Sequence, residues 1–227
     1  MAQQFLKDME ELKTNLIRMA SIVDDQVGKA INVLQTGNDS SIKDIRAKDD
    51  EVDAYDELLQ IQCENVLALF QPIAYDLRTV ISTLMINNQL ERCGDLSVSI
   101  SNRASKIAKF RNLIDESGIS VMAKEAHTMV GRAIDSFIHS NGELALQVIK
   151  NDKKVDDLNR HSFEFITGKM KSDPKLIEPL AHILILARQI ERMADHATNI
   201  AENLLFLIDA KVVSHRRVLE IPNGNIQ

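Results

Sequence analysis

The chain has 227 residues with 27 Lys+Arg against 33 Asp+Glu, and the resulting net charge of −6 gives it no general attraction to a nucleic acid. A hydrophobic content of 44% excludes wholesale disorder, while 8 Gly, 4 Pro, no Trp and only 4% aromatics argue against a turn-rich or aromatic-packed β architecture. The two cysteines, Cys63 and Cys93, lie outside any CxxC spacing, which rules out a disulfide scaffold or zinc module and leaves an all-α protein as the expectation.

In the first segment Leu12, Leu16, Met19, Val23, Val27, Ala30, Ile31 and Leu34 recur at steps of three and four. That spacing predicts a helix with one apolar face, ending at Gly37-Asn38. Asp39-Ser40-Ser41 offers side-chain acceptors to the free N–H groups of a second helix, which runs to about Phe70 and is broken by Gln71-Pro72. A third helix is expected from Pro72 to about Phe110. The grammar then returns, with a helix from about Ile119 to Ser140, a turn at Asn141-Gly142 and a helix to about Lys171. Ser172-Asp173-Pro174 supplies the N-cap and first-turn proline of a last long helix ending near Ser214. Six helices and a polar tail over 215–227 result. Met1 to Glu11 contains no apolar signal core, and the runs Ile183 to Ala187 and Leu204 to Ile208 fall far short of the roughly 18 residues of a membrane span, so a cytoplasmic protein without membrane insertion is expected.

The return is also a repeat of residues. Met19-Ala20 through Val52-Asp53 aligns with Met122-Ala123 through Val155-Asp156 at a separation of 122 − 19 = 103. Further on, Gln89-Leu90-Glu91-Arg92-Cys93-Gly94-Asp95 lies over Gln189-Ile190-Glu191-Arg192-Met193-Ala194-Asp195 at 189 − 89 = 100. Short connections between long helices force antiparallel packing. Two tandem antiparallel three-helix bundles follow, spanning 1–110 and 111–214.

Four acidic pairs share the spacing i, i+4: Asp49 with Asp53, Glu91 with Asp95, Asp152 with Asp156, and Glu191 with Asp195. Each pair shares one helix face, where like charges repel by a few tenths of a kcal/mol unless solvent, basic neighbours or a cation compensate. Residues of an antiparallel hairpin lie level when equally far from its turn. The first two pairs centre on 51 and 93, whose mean is 72, the position of Pro72; the other two centre on 154 and 193, whose mean falls between Asp173 and Pro174. Both repeats therefore bring two carboxylate pairs to one height, although height alone does not make them face each other. Gly28 and Gly131 lie near the same level in the first helix of each repeat and suggest a close helix approach there, with Asp24 and His127 beside them.

Such an arrangement is an oxygen-rich site for a hard or borderline cation: iron, manganese, magnesium or calcium. Asn199 and Glu202 continue the stripe of Glu191 and Asp195 by steps of four and three and extend the second site; the first has Ser99 and Asn102 there. The alternative, a solvated acidic face on amphipathic helices, stays open. None of the six histidines forms HExxH or ExxH, there is no glycine-rich phosphate loop, and no nucleophile triad can be assembled, so an enzyme is not expected. His196 points away from the carboxylate stripe, and Cys63 and Cys93 are expected in the core.

The segments Pro72-Ile73-Ala74-Tyr75-Asp76-Leu77-Arg78, Leu90-Glu91-Arg92-Cys93-Gly94-Asp95 and Ile190-Glu191-Arg192-Met193-Ala194-Asp195-His196-Ala197-Thr198-Asn199-Ile200-Ala201-Glu202 closely resemble the PhoU family, over about residues 5–214. The resemblance implies two three-helix bundles and Glu/Asp-x-x-x-Asp motifs that bind metal in some members. Position by position, these are the eight acids already singled out. It further implies a negative regulator of phosphate uptake that is a homodimer and not an enzyme. In that picture it is an adaptor between the ATPase subunit of the high-affinity phosphate ABC transporter and a sensor histidine kinase, and it keeps phosphate-starvation genes off when phosphate is plentiful. A metal storage or redox protein with carboxylate clusters is the competing expectation. Cys93 stands where a branched aliphatic residue is common in the family, and Asp76 and Arg78 are expected to cap a helix or dock a partner.

Overall fold

The computed structural model describes residues 1–210. Among these it contains α-helices and short 3-10 turns but no strand. The expected tail over 215–227, and Ser214 as the end of the last helix, lie outside the described residues.

Helix α1 (Ala2–Thr36) buries all eight residues of the predicted apolar stripe, from Leu12 to Leu34. Gly37 ends it with φ 70, a left-handed conformation that glycine adopts without steric cost, and its N–H bonds back to the Val33 carbonyl. Helix α2 (Ile42–Phe70) follows a 3-10 turn at Asp39–Ser41. The side-chain cap of this turn is Asn38, which accepts from Ser40 N; Ser41, at the start of α2, makes no such bond. Helix α3 is Ala74–Lys106.

The single helix expected to reach Phe110 is instead divided. A 3-10 turn at Ala108–Phe110 and the short helix α4 (Arg111–Glu116) follow α3, so there are seven α-helices among the described residues rather than six. The cause is a tertiary contact with no local signal. Arg111 donates to the carbonyls of Thr36 (2.8 Å) and Gln35 at the open end of α1, and the chain must bend back to bring it there.

Gly118, at φ 78, launches α5 (Ile119–Ile138). Asn141 caps α6 (Gly142–Ser172) by accepting from Leu144 N. Asp173 accepts from Lys175 N and Pro174 opens the 3-10 turn that leads into α7 (Ile177–Asp209). Burying one large aliphatic side chain stabilises a fold by about 1.5–3 kcal/mol. Leu16, Leu59, Ile86, Leu90 and Ile100 in the first repeat, and Ile119, Ile183 and Leu186 in the second, belong to one continuous core.

Helices α1, α2 and α3 form one bundle and α5, α6 and α7 the other, and the two lie side by side with α1 against α5 and α3 against α7. The seams are reciprocal. A Cβ on Gly28 would meet His127 at 3.2 Å, and one on Gly131 would meet Asp24 at 3.5 Å. Since Asp24 and His127, like Gly28 and Gly131, are equivalent positions 103 apart (127 − 24), the repeats are related by a local two-fold axis. The close approach suggested by the glycines is therefore an approach of α1 to the other repeat. Along the second seam Ser82 Oγ donates to the Asn203 carbonyl at 3.5 Å, and Arg103 donates to His182 Nδ1 at 2.9 Å, again at equivalent positions. No helix among the described residues is long and apolar enough to cross a membrane.

Candidate functional site

The acids predicted to be level do face one another across their hairpins. In the first repeat Asp49 and Asp53 of α2 lie within electrostatic reach of Asp95 on α3, and Glu91 within reach of Asp53. Desolvation first, then this mutual repulsion, holds the Asp49, Asp53 and Glu91 carboxyls above their ordinary range; a hydrogen bond from Gln26 partly opposes the shift at Asp49. In the second repeat Glu191 and Asp195 of α7 face Asp152 and Asp156 of α6. Burial, followed by Glu191, Asp152 and Asp156, lifts Asp195 to about 6, against the pull of Arg188.

The surroundings differ. Gln26 on α1, fully buried, donates to the Ile45 carbonyl (3.1 Å) and to Asp49 Oδ1 (3.0 Å), while its own Oε1 has no hydrogen-bond partner among the described residues. A Cβ on Gly94 would come within 3.1 Å of that oxygen and 3.2 Å of Asp49 Oδ1, so the missing side chain leaves room for both. Asp56 adds a fifth negative charge near Glu91 and Asp53 and accepts from Asn87 Nδ2 at 2.6 Å. Arg92 pairs with Glu91 (3.2 Å) and with Asp95 (3.5 Å). In the second repeat Asp152 is buried and accepts from Thr198 Oγ1 at 3.3 Å, and Arg188 pairs with Glu191 at 2.5 Å.

Sequence reasoning passed over Gln26 and Thr198. For Gln26 a signal existed, since the height matching position 51 on the first helix is near 26; for Thr198 there was none. Asn199 and Glu202, on the turns of α7 after Asp195, border α3. Asn199 donates to Gln89 Oε1 on α3 at 3.1 Å, and both residues line a cavity of about 400 Å³ between α3 and α7, walled by Ile81, Met85 and Phe206. His196 also bonds Gln89 Oε1 (2.8 Å), and burial, with Arg192 and Arg92 nearby, lowers it to about 4. Cys63 and Cys93 are buried, their thiols pushed up to about 12. Asp76 lies in the first turn of α3, and the Arg78 guanidinium sits 5.8 Å from the Tyr75 ring centroid.

Carboxylates, an amide oxygen and a hydroxyl are the donors a hard cation takes, and in the first repeat the unpartnered Gln26 oxygen over the Gly94 gap fits such an ion in kind. Among the described residues, however, no three His, Cys, Asp or Glu side chains converge closely enough in this conformation to hold a metal, so the carboxylates would have to turn inward to close on one.

A profile of the PhoU domain matches residues 16–104 and 119–204, one match on each repeat. The chain belongs to the PhoU family. It is 32% identical over 217 residues to the phosphate-specific transport system accessory protein PhoU homolog of Aquifex aeolicus, covering 96% of this chain and 98% of that one. To the homolog of the same description in Pseudomonas aeruginosa it is 30% identical over 218 residues, covering 94% and 89%. The crystal structure of PhoU from Pseudomonas aeruginosa superposes with a TM-score of 0.84 at 28% identity, covering 91% of this chain and all of that one. The PhoU structure from Streptococcus pneumoniae, at 23% identity and TM-score 0.81, shares the fold.

Proposed function

We propose that this protein is a cytoplasmic, homodimeric and non-enzymatic negative regulator of phosphate uptake. In this reading it bridges the ATPase subunit of a phosphate ABC transporter and a sensor histidine kinase, and so holds the phosphate-starvation response off in plentiful phosphate. The observation that carries the reading is the PhoU-domain match on both repeats, together with the transport-accessory description of relatives aligned over nearly the whole chain. Exposed apolar residues at the α2–α3 tip, Leu69, Ile73 and Tyr75, offer the kind of surface a protein partner covers. Deleting the gene should switch starvation transcription on in high phosphate; unchanged transcription and uptake would sink the proposal.

Each repeat is further proposed to hold a hard cation, through Asp49, Asp53, Glu91 and Asp95 in the first and Asp152, Asp156, Glu191 and Asp195 in the second. The ion would add positive charge to that of Arg92 and Arg188, which pair with only some of these acids. Elemental analysis of protein purified without chelator, beside an Asp95→Ala/Asp195→Ala variant, tests this directly. Stoichiometric iron, manganese, magnesium or calcium that disappears in the variant supports it, and a metal-free wild type that still binds the ATPase leaves an adaptor with an acidic docking face.

A further inference from the structure

Where the end of α3 meets the start of α7, a cavity of about 320 Å³ is lined by Lys106, Lys109, Lys175 and His182, with Glu178 as its one acid among the described residues. Arg103 adjoins it. A guanidinium only donates, so its 2.9 Å contact makes His182 Nδ1 the acceptor and leaves the proton of the neutral imidazole on Nε2, as a further donor. Arg103 Nε is itself buried without a hydrogen-bond partner among the described residues. Four lysines elsewhere find carboxylates, Lys29 and Lys48 at Asp25, Lys154 at Glu125 and Lys169 at Glu116, whereas others such as Lys7, Lys13 and Lys43 form no ion pair among the described residues. Arg103, Lys106, Lys109 and Lys175 form no ion pair among the described residues.

Two of these cations lie in the last turn of α3, where the helix dipole favours positive charge, and that alone would be a sufficient account of them. The repeat supplies the control. At equivalent positions 100 apart (203 − 103), the matching end of α7 carries Asn203, Phe206 and Asp209 in place of Arg103, Lys106 and Lys109, and α3 carries Tyr75 and Ser82 in place of Lys175 and His182. The helices end there without the cations, so the fold does not require them.

We propose that this cavity is a binding site for a small soluble polyanion carrying two or more phosphoryl groups. Three ammonium groups set around one cavity act as separate point charges, which suits oxygens spread over linked phosphoryls; a planar carboxylate calls for an arginine fork, and the one arginine here is turned to His182. The site draws on both repeats, so its ligand would tie the α6–α7 hairpin to the end of the first bundle.

Titration calorimetry with inorganic pyrophosphate is the test. Wild type should bind, more weakly as salt rises. Losing charge-assisted hydrogen bonds should weaken binding roughly tenfold per ammonium, so Lys106→Gln/Lys109→Gln/Lys175→Gln should bind undetectably. Glu178→Gln, which removes the one opposing charge and needs no refolding of the site, should bind more tightly than wild type. Absence of binding by wild type, equal binding by the triple variant, or weaker binding by Glu178→Gln would each overturn the proposal. Sedimentation with cardiolipin vesicles separates a lipid source of the same chemistry: vesicle binding that pyrophosphate does not displace would overturn a soluble ligand.

Discussion

In the first repeat the innermost acid, Asp49, is steadied from α1, by Gln26; in the second, Asp152 is steadied from α7, by Thr198. The residues at the exchanged positions are apolar, Met129 for Gln26 and Val98 for Thr198. The two repeats thus share their eight acids while the neutral groups that orient them have moved to different helices. The neighbouring charges differ as well: Arg188 faces Glu191 where the first repeat has Asn88, and the like-charged Asp56 crowds the first cluster where the second has Asn159. A duplicated site therefore need not be a duplicated device. The first is coupled to α1, which also forms the seam with α5, whereas Thr198 ties the second within its own α6–α7 hairpin.

The comparison breaks most readily at Gln26. Gln26→Met, which installs the second repeat's residue, removes two buried hydrogen bonds, one of them to a carboxylate, and should lower stability by about 2–3 kcal/mol in denaturant unfolding. Thr198→Val should cost about 1–2 kcal/mol, because a buried carboxylate loses a donor, while the reciprocal Val98→Thr should change little. Asp195 supplies a test by pH. Its folded carboxyl is pushed up to about 6 from the ordinary aspartate value of 3.8, so the folded state holds more protons than the unfolded one between those values and stability falls as pH rises through that window. Asp195→Asn in chelator-treated protein should flatten that fall and raise stability at neutral pH by about 1 kcal/mol, solvent screening having reduced the effect. Smallest is Gly94→Ala: the helix gains about 1 kcal/mol from alanine, and displacing the Gln26 oxygen offsets most of it.

The architecture could be read from sequence because both of its signals are periodic: apolar steps of three and four gave the helices, and the recurrence of whole segments gave the two bundles. Hairpin heights placed the acids level, and packing then made them face. What escaped was set by contacts between distant segments. Nothing near Phe110 announces that Arg111 will cap α1, and a helical wheel of α7 puts Asn199 and Glu202 on the stripe of Glu191 without knowing that α3 lies alongside. Gln26 was legible in principle, being at the computed height, but a glutamine amid an apolar stripe has no chemistry of its own until Asp49 and Gly94 surround it.

The reciprocal seams have one more consequence. Each half presents to the other the surface that the other presents to it, which is how identical subunits pair, yet here the partners are joined through residues 107–118. Their meeting is intramolecular, at an effective concentration set by that short connection, so dilution cannot part them. Melting either half strips the cover from α1 and α3 or from α5 and α7, and the two halves should therefore unfold in a single cooperative transition.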